Sequence, residues 1–350
     1  MKRARAASAI IAYSLILTGC GSFAGTRNIE SGFGYLESHE YQSALESFDL
    51  AEENGENACL IARGRGIAHF DRGELEDAVS ELTLSLSLDD GIVDSIDFDT
   101  NYYLAEAYLG LEEYNKAKEV YDAIIALRGK DPTAYYLRGV AELSSGNHDG
   151  GYSDFSKAIS LNNKDYTMMI RIYKALDEYG YSEEGLAILQ NAMDSGGSFM
   201  SNFEKGQISF YLGNNAEAQG YLEAARNERD QEKEPVVVLL GQTAEKQGDY
   251  NYAISVYRNY LSENSDSASI CNQLGMCQIR QGDYEAAIQS FQQGLSLDDK
   301  SMNQALMLNE ITAYEYMGEF DVASSMMSTY LRTYPDDEVA KRENIFLSTR

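Results

Sequence analysis

A small residue returns along this chain with a nearly fixed interval. It occupies Ala44, Ala78, Ala117, Gly151, Gly185, Ala218, Ala253, Ala287 and Ala323, at successive separations of 34, 39, 34, 34, 33, 35, 34 and 36 residues. Self-similarity with a period of roughly 20–50 residues marks a stack of one supersecondary unit, none of which can bury its apolar face alone. Within each period the apolar residues recur three and four apart, the spacing of an amphipathic helix. The length of 350 residues would otherwise suggest about two domains, and the repeat replaces that prior with an all-α stack.

The residues around the recurring position are specific. In Ser269 to Asp298, Leu274-Gly275, Gly282-Asp283-Tyr284, Ala287 and Phe291 form one set. Leu240-Gly241, Gly248-Asp249-Tyr250, Ala253 and Tyr257 form another, and Arg138-Gly139, Gly146, Gly151, Phe155 and Ala158 a third. Small residues at facing positions, such as Gly275 and Ala287, let two helices approach closely, and the aromatic four residues later fills the groove beside them. Gly282 supplies the left-handed residue that closes the first helix. Asp131-Pro132 and Glu234-Pro235 read as helix starts, and with three prolines in the chain no long helix interior is broken.

These motifs resemble the tetratricopeptide repeat. The resemblance implies an α-solenoid, a right-handed superhelix of about nine helix-turn-helix units over residues 28–335, with residues 336–350 containing an end helix from Glu338 to Leu347. That helix is expected to be a polar-faced cap. The sequence departs from the family in having no tryptophan, and the units near Asn28 and from Tyr166 to Gly196 are degenerate. The 39-residue step implies an insertion within Asp89 to Asn101.

Residues 1–19 read as a sorting signal. Lys2, Arg3 and Arg5 precede a mostly apolar run from Ala6 to Leu17, too short to span a bilayer comfortably. Leu17-Thr18-Gly19-Cys20 resembles the bacterial lipobox, which implies a diacylglyceryl group on Cys20 and a short tether over 20–27; an ordinary cleaved signal and an uncleaved anchor are the alternatives. Two acyl chains suffice for stable anchoring. Gly21 is not the aspartate that resembles an inner-membrane retention signal. The expected location is therefore the outer face of the cell membrane, or the outer membrane where two membranes exist.

Without residues 1–19 the chain holds 25 basic against 56 acidic residues, a net −31. Such a balance repels phosphates and anionic lipid, and it argues against nucleic acid as a partner. Cys59, Cys271 and Cys277 lack metal-like spacing and read as small buried residues without a disulfide framework. His39, His69 and His148 fall in different units, none with a Cys, Asp or Glu at the one-turn spacing of a helix-borne metal site. The acidic stretch Asp89, Asp90, Asp94, Asp97 and Asp99 lacks the EF-hand pattern and reads as a solvated insertion. No phosphate loop, nucleophile elbow or zinc-protease helix is present. The expectation is a protein without catalytic residues, metal or cofactor.

In the family, the second, fifth, ninth and twelfth positions of each unit line a concave groove. Carried over, the groove residues are Arg63, Tyr102 with Glu106, Tyr136, Lys174, Phe203 with Gln207, Gln242 and Asn272, beside apolar Ile67, Val140, Ile170, Val238 and Met276. The lysine and asparagine clamp that holds a carboxylate terminus in chaperone-binding members is missing. Aromatics framed by polar groups suit a protein or peptide partner, although apolar residues at helical spacing also pack between neighbouring units. A surface adaptor for a protein or peptide is the leading expectation. Capture of a solute or glycan is the alternative, disfavoured because an open superhelix offers no enclosed pocket.

Overall fold

The computed structural model describes residues 27–89, 91–229, 231–335 and 337–350. The described residues form nineteen α-helices and no strand. They divide into two compact units, Met1–Ile188 and Leu189–Arg350. The signal, lipidation and tether expectations on residues 1–26, Cys20 included, lie outside the described residues, as does Asp90.

The first unit contains α1 (Arg27–Glu37), α2 (Tyr41–Glu53), α3 (Ala58–Asp71), α4 (Leu75–Ser87), α5 (Ser95–Gly110), α6 (Tyr114–Leu127), α7 (Pro132–Ser144), α8 (His148–Leu161) and α9 (Tyr166–Glu178). Helix α10 (Ser182–Gly196) runs through the dividing point. The second unit continues with α11 (Asn202–Tyr211), α12 (Asn215–Arg226), α13 (Lys233–Lys246), α14 (Tyr250–Glu263), α15 (Ala268–Gln281), α16 (Tyr284–Leu295), α17 (Lys300–Met317), α18 (Phe320–Thr333) and α19 (Glu338–Leu347). In the first unit α1 packs on α2, α3 on α4, α5 on α6 and α7 on α8, and in the second α11 packs on α12, α13 on α14, α15 on α16 and α17 on α18, each pair a helical hairpin. Within each unit the second helix of a hairpin packs on its own first helix and also on the first helix of the next, as α4 does on α3 and α5, and α16 on α15 and α17. This double contact is what turns a row of hairpins into a solenoid.

Packing follows the reasons read from the motifs. A methyl group added at Gly275 would lie 2.4 Å from the Phe291 ring, and one at Gly241 would lie 2.2 Å from Tyr257. Glycine in the first helix is therefore the counterpart of a fully buried aromatic in the second, and Phe48, Phe155, Tyr257 and Phe291 each have no exposed surface. The sequence-predicted caps form as well: Asp131 accepts from Thr133 N–H at 3.0 Å with Pro132 in the first turn, and Gly282 closes α15 at φ 87°.

At the turn after α5 the left-handed position is taken by Glu112, at φ 61°, where the second hairpin has Gly73 at φ 78°. A side chain with Cβ is strained there by about 1–2 kcal/mol. Glu112→Gly is expected to raise the denaturant midpoint with an unchanged slope, by ~0.5–1 kcal/mol, because glycine also loses more chain entropy on folding.

Two expectations are corrected. Only Leu88 to Asp94 separates α4 from α5, and the acidic stretch is not a solvated loop throughout. Asp94 accepts from the Ile96 and Asp97 amides in a capping box, and Asp99 lies inside α5, 6% exposed. The end helix is not polar-faced either: α19 buries Ala340 and Leu347 but leaves Val339, Ile345 and Phe346 exposed. Among the described residues no helix is long and apolar enough to cross a membrane.

Candidate partner-binding face

The residues assigned to the groove sit on first helices, and most are already engaged with the next hairpin. Arg63 on α3 forms a buried ion pair with Asp99 on α5. The Tyr102 hydroxyl donates to Asp131, the cap of α7, at 2.8 Å. Tyr136 on α7 carries the Arg171 guanidinium of α9 over its ring, 4.3 Å from the centroid. In the second unit Gln242 on α13 donates to Gln273 on α15 at 3.4 Å, and Asn272 on α15 accepts from Asn309 on α17 at 2.7 Å. A polar ladder thus ties successive first helices together within each unit. Tyr102 and Tyr136 are 8% and 5% exposed and belong to the core. Phe203 and Gln207 are half-buried, Phe203 packing on the second unit's core, and Lys174 is exposed.

Glu106 behaves differently from its neighbours. It lies on α5, half-buried, and has no hydrogen bond or ion pair among the described residues. Burial pushes its carboxyl up to about 7, with Arg171 pulling it down and Asp99 pushing it further up. Two more polar groups around it lack hydrogen-bond partners. The Tyr121 hydroxyl is buried and unpaired, and its pKa is driven well up by burial and then by the charge of Glu106. Arg171 leaves Nη2 buried and unpaired beside Tyr136. An unmet buried donor or acceptor costs about 1–3 kcal/mol, and native folds rarely keep several together without a use.

The raised Glu106 carboxyl sets a pH dependence. A folded pKa near 7 against an ordinary value of 4.5 means the folded chain holds an extra proton between these limits. Its contribution is complete below about 4.5 and is lost as pH rises through about 7. Glu106→Gln is therefore expected to flatten stability against pH and to be the more stable chain at pH 8, by about 1–2 kcal/mol once water at the face is allowed for. Paired urea melts at pH 5 and pH 8 measure this; equal slopes in both chains would contradict it.

Sequence reasoning missed Arg171 because the fifth position of its degenerate unit falls on Ile170, which is 5% exposed. Asp99 was visible as a second-position residue but was read with the insertion. An open cleft of about 690 Å³ lies elsewhere in the first unit, lined by turn residues such as Glu112 and Asn147 and by Lys116 and Lys118 of α6. It is open to solvent, unlike the enclosed pockets that small ligands generally occupy.

Fold and face together define an α-solenoid of tetratricopeptide type, a scaffold suited to protein–protein interaction. Tetratricopeptide repeat models match residues 102–165 in the first unit and 244–308 in the second. Among solved structures, yeast Tom70 is similar over 93% of this chain and 88% of its own, at 13% identity and a TM-score of 0.52. A tetratricopeptide repeat protein from Parabacteroides merdae is similar over 81% of this chain and 97% of its own, at 18% identity and a TM-score of 0.42. MamA from Desulfovibrio magneticus is similar over 51% of this chain and 97% of its own, at 19% identity and a TM-score of 0.42. The likeness to Tom70 supports the fold alone.

Proposed function

We propose that this chain is a lipid-anchored scaffold on a bacterial cell surface that holds an extended segment of a protein or peptide against the first helices of its repeats, without catalysing a reaction. The observation that carries the binding reading is the buried, unpaired Tyr121 hydroxyl and Arg171 Nη2 beside the half-buried Glu106 carboxyl. A carboxylate that needs a donor beside a guanidinium that needs an acceptor matches an amide group, which offers one of each. Extended peptides present such groups along their length. The anchoring part rests on the resemblance of Leu17 to Cys20 to a lipobox, and the acidic balance leaves the lipid as the means of attachment.

The test is crosslinking with pull-down in the native cells, comparing wild type with a Glu106→Gln, Lys174→Ala chain that retains its helical content. Loss of one specific protein in the variant is expected. An unchanged set of partners would contradict the assignment of this face. Cys20→Ser is expected to move the chain from the membrane to the soluble fraction, and retention at the membrane would contradict lipidation.

A further inference from the structure

The second hairpin brings together side chains that no helix periodicity predicts. His69 lies in the last turn of α3, and Glu74 and Asp77 belong to the N-terminal end of α4. Between them Gly73 turns the chain at φ 78°, and the Glu74 N–H donates to the His69 carbonyl at 2.9 Å. That backbone bond fixes the reversal and sets the His69 and Glu74 side chains face to face, with Nδ1 and Oε2 2.6 Å apart. The equivalent turn bond in the other hairpins runs to Tyr35, Tyr108, Glu142, Leu176, Ser209, Ala244, Gln278 or Tyr314, none of which is a histidine.

One ligand atom each from His69, Glu74 and Asp77 falls within 4.8 Å of the others. Around a tetrahedral zinc ion, ligand atoms at about 2.0–2.2 Å from the metal stand roughly 3.2–3.6 Å apart. The three must therefore shift by about 1 Å, with His69 and Glu74 opening and Asp77 closing. The exposed Asp77 side chain has room for this. Glu74 is also held from behind: Arg72 binds Oε1 at 2.8 Å and leaves Oε2 for the site, the kind of outer support that orients a metal-binding carboxylate.

A fourth group points the same way. Glu81, one turn beyond Asp77 on α4, keeps its Oε2 buried and without a hydrogen-bond partner. Burial raises its carboxyl, the charges of Arg65 and then His69 pull it down, and those of Glu52 and Asp77 push it up. An unmet carboxylate oxygen on the residue one turn beyond Asp77 is explained by a metal-bound water that it accepts from, the ion itself being held by the other three.

We infer that His69, Glu74 and Asp77 form a site for one divalent transition-metal ion, with Glu81 as acceptor for a metal-bound water. One imidazole with carboxylates suits zinc or its first-row neighbours, whereas calcium and magnesium favour all-oxygen sets. The ion would bridge α3 and α4 across their turn and bind the native hairpin in preference to the unfolded chain.

Titration calorimetry with zinc chloride on the untagged full chain tests this. One equivalent is expected to bind, at least 10-fold more weakly in His69→Ala and in Asp77→Ala, and unchanged in His148→Ala. Asp77 is exposed, so its variant keeps the fold and makes the comparison valid even if His69→Ala does not. A cobalt-loaded sample is expected to show a visible absorption band that Asp77→Ala loses. Absence of binding at 100-fold excess zinc, or equal binding in all chains, would overturn the site.

Discussion

Arg63→Met is expected to destabilise the first unit by about 3–5 kcal/mol at neutral pH, the cost of leaving a buried charge unpaired. Both Arg63 and Asp99 are more than nine-tenths buried. The guanidinium lies 5.3 Å from the Phe33 ring centroid, and its Nε has no hydrogen-bond partner. Burial raises the Asp99 carboxyl even against the pull of Arg63, so the pair itself adds little net stability. Its loss on one side is what costs. The penalty is expected to shrink at low pH as Asp99 takes up a proton, and Arg63→Met with Asp99→Leu should recover most of the stability or exceed it. Urea melts of the three chains decide this: a double variant as unstable as the single would contradict the account of a desolvated pair.

The second large effect lies in the glycine and aromatic pairing. Phe291→Ala is expected to cost about 3–5 kcal/mol, since the fully buried ring fills the space between α15 and α16 and its removal leaves a cavity. Gly275→Ala in the wild-type chain forces a methyl against that ring and is expected to cost about 1–3 kcal/mol. In the Phe291→Ala background the same change should become stabilising by about 0.5–1 kcal/mol, because the clash is gone and alanine is the better helix former. A double-mutant cycle reads this reversal of sign directly. Because repeat arrays open locally, hydrogen exchange of α15 and α16 amides is the suitable probe. Equal costs of Gly275→Ala in both backgrounds would show that ring and glycine are not packing partners.

The helices were legible because their signals are local. Gly282 before Asp283-Tyr284, and Asp131 before Pro132, announce an end and a start within a few residues, and both form where expected. The polar ladder is not local: Asp99 meets Arg63 across 36 residues. Only alignment of the fifth position of one repeat with the second position of the next would have placed them together. His69 and Glu74 were missed for a related reason, since one-turn spacing is a rule for a single helix and these two face each other across a turn. Aromatics at the fifth position were read as a binding surface, yet Tyr102 and Tyr136 are core. Helical spacing marks the buried stripe equally well whether a neighbour or a partner covers it. The end helix was expected to be polar because solenoids need solvated caps, but Val339, Ile345 and Phe346 break that rule.

Site-specific photocrosslinking in the native cells tests the central claim, that a partner lies along the first helices. A photoreactive residue replaces Lys174, exposed on first helix α9, in one chain and Leu127, exposed on second helix α6, in another. The account predicts one discrete protein adduct from position 174, abolished by Glu106→Gln, and none from position 127. An adduct from position 127 alone would place the partner on the second helices and contradict it.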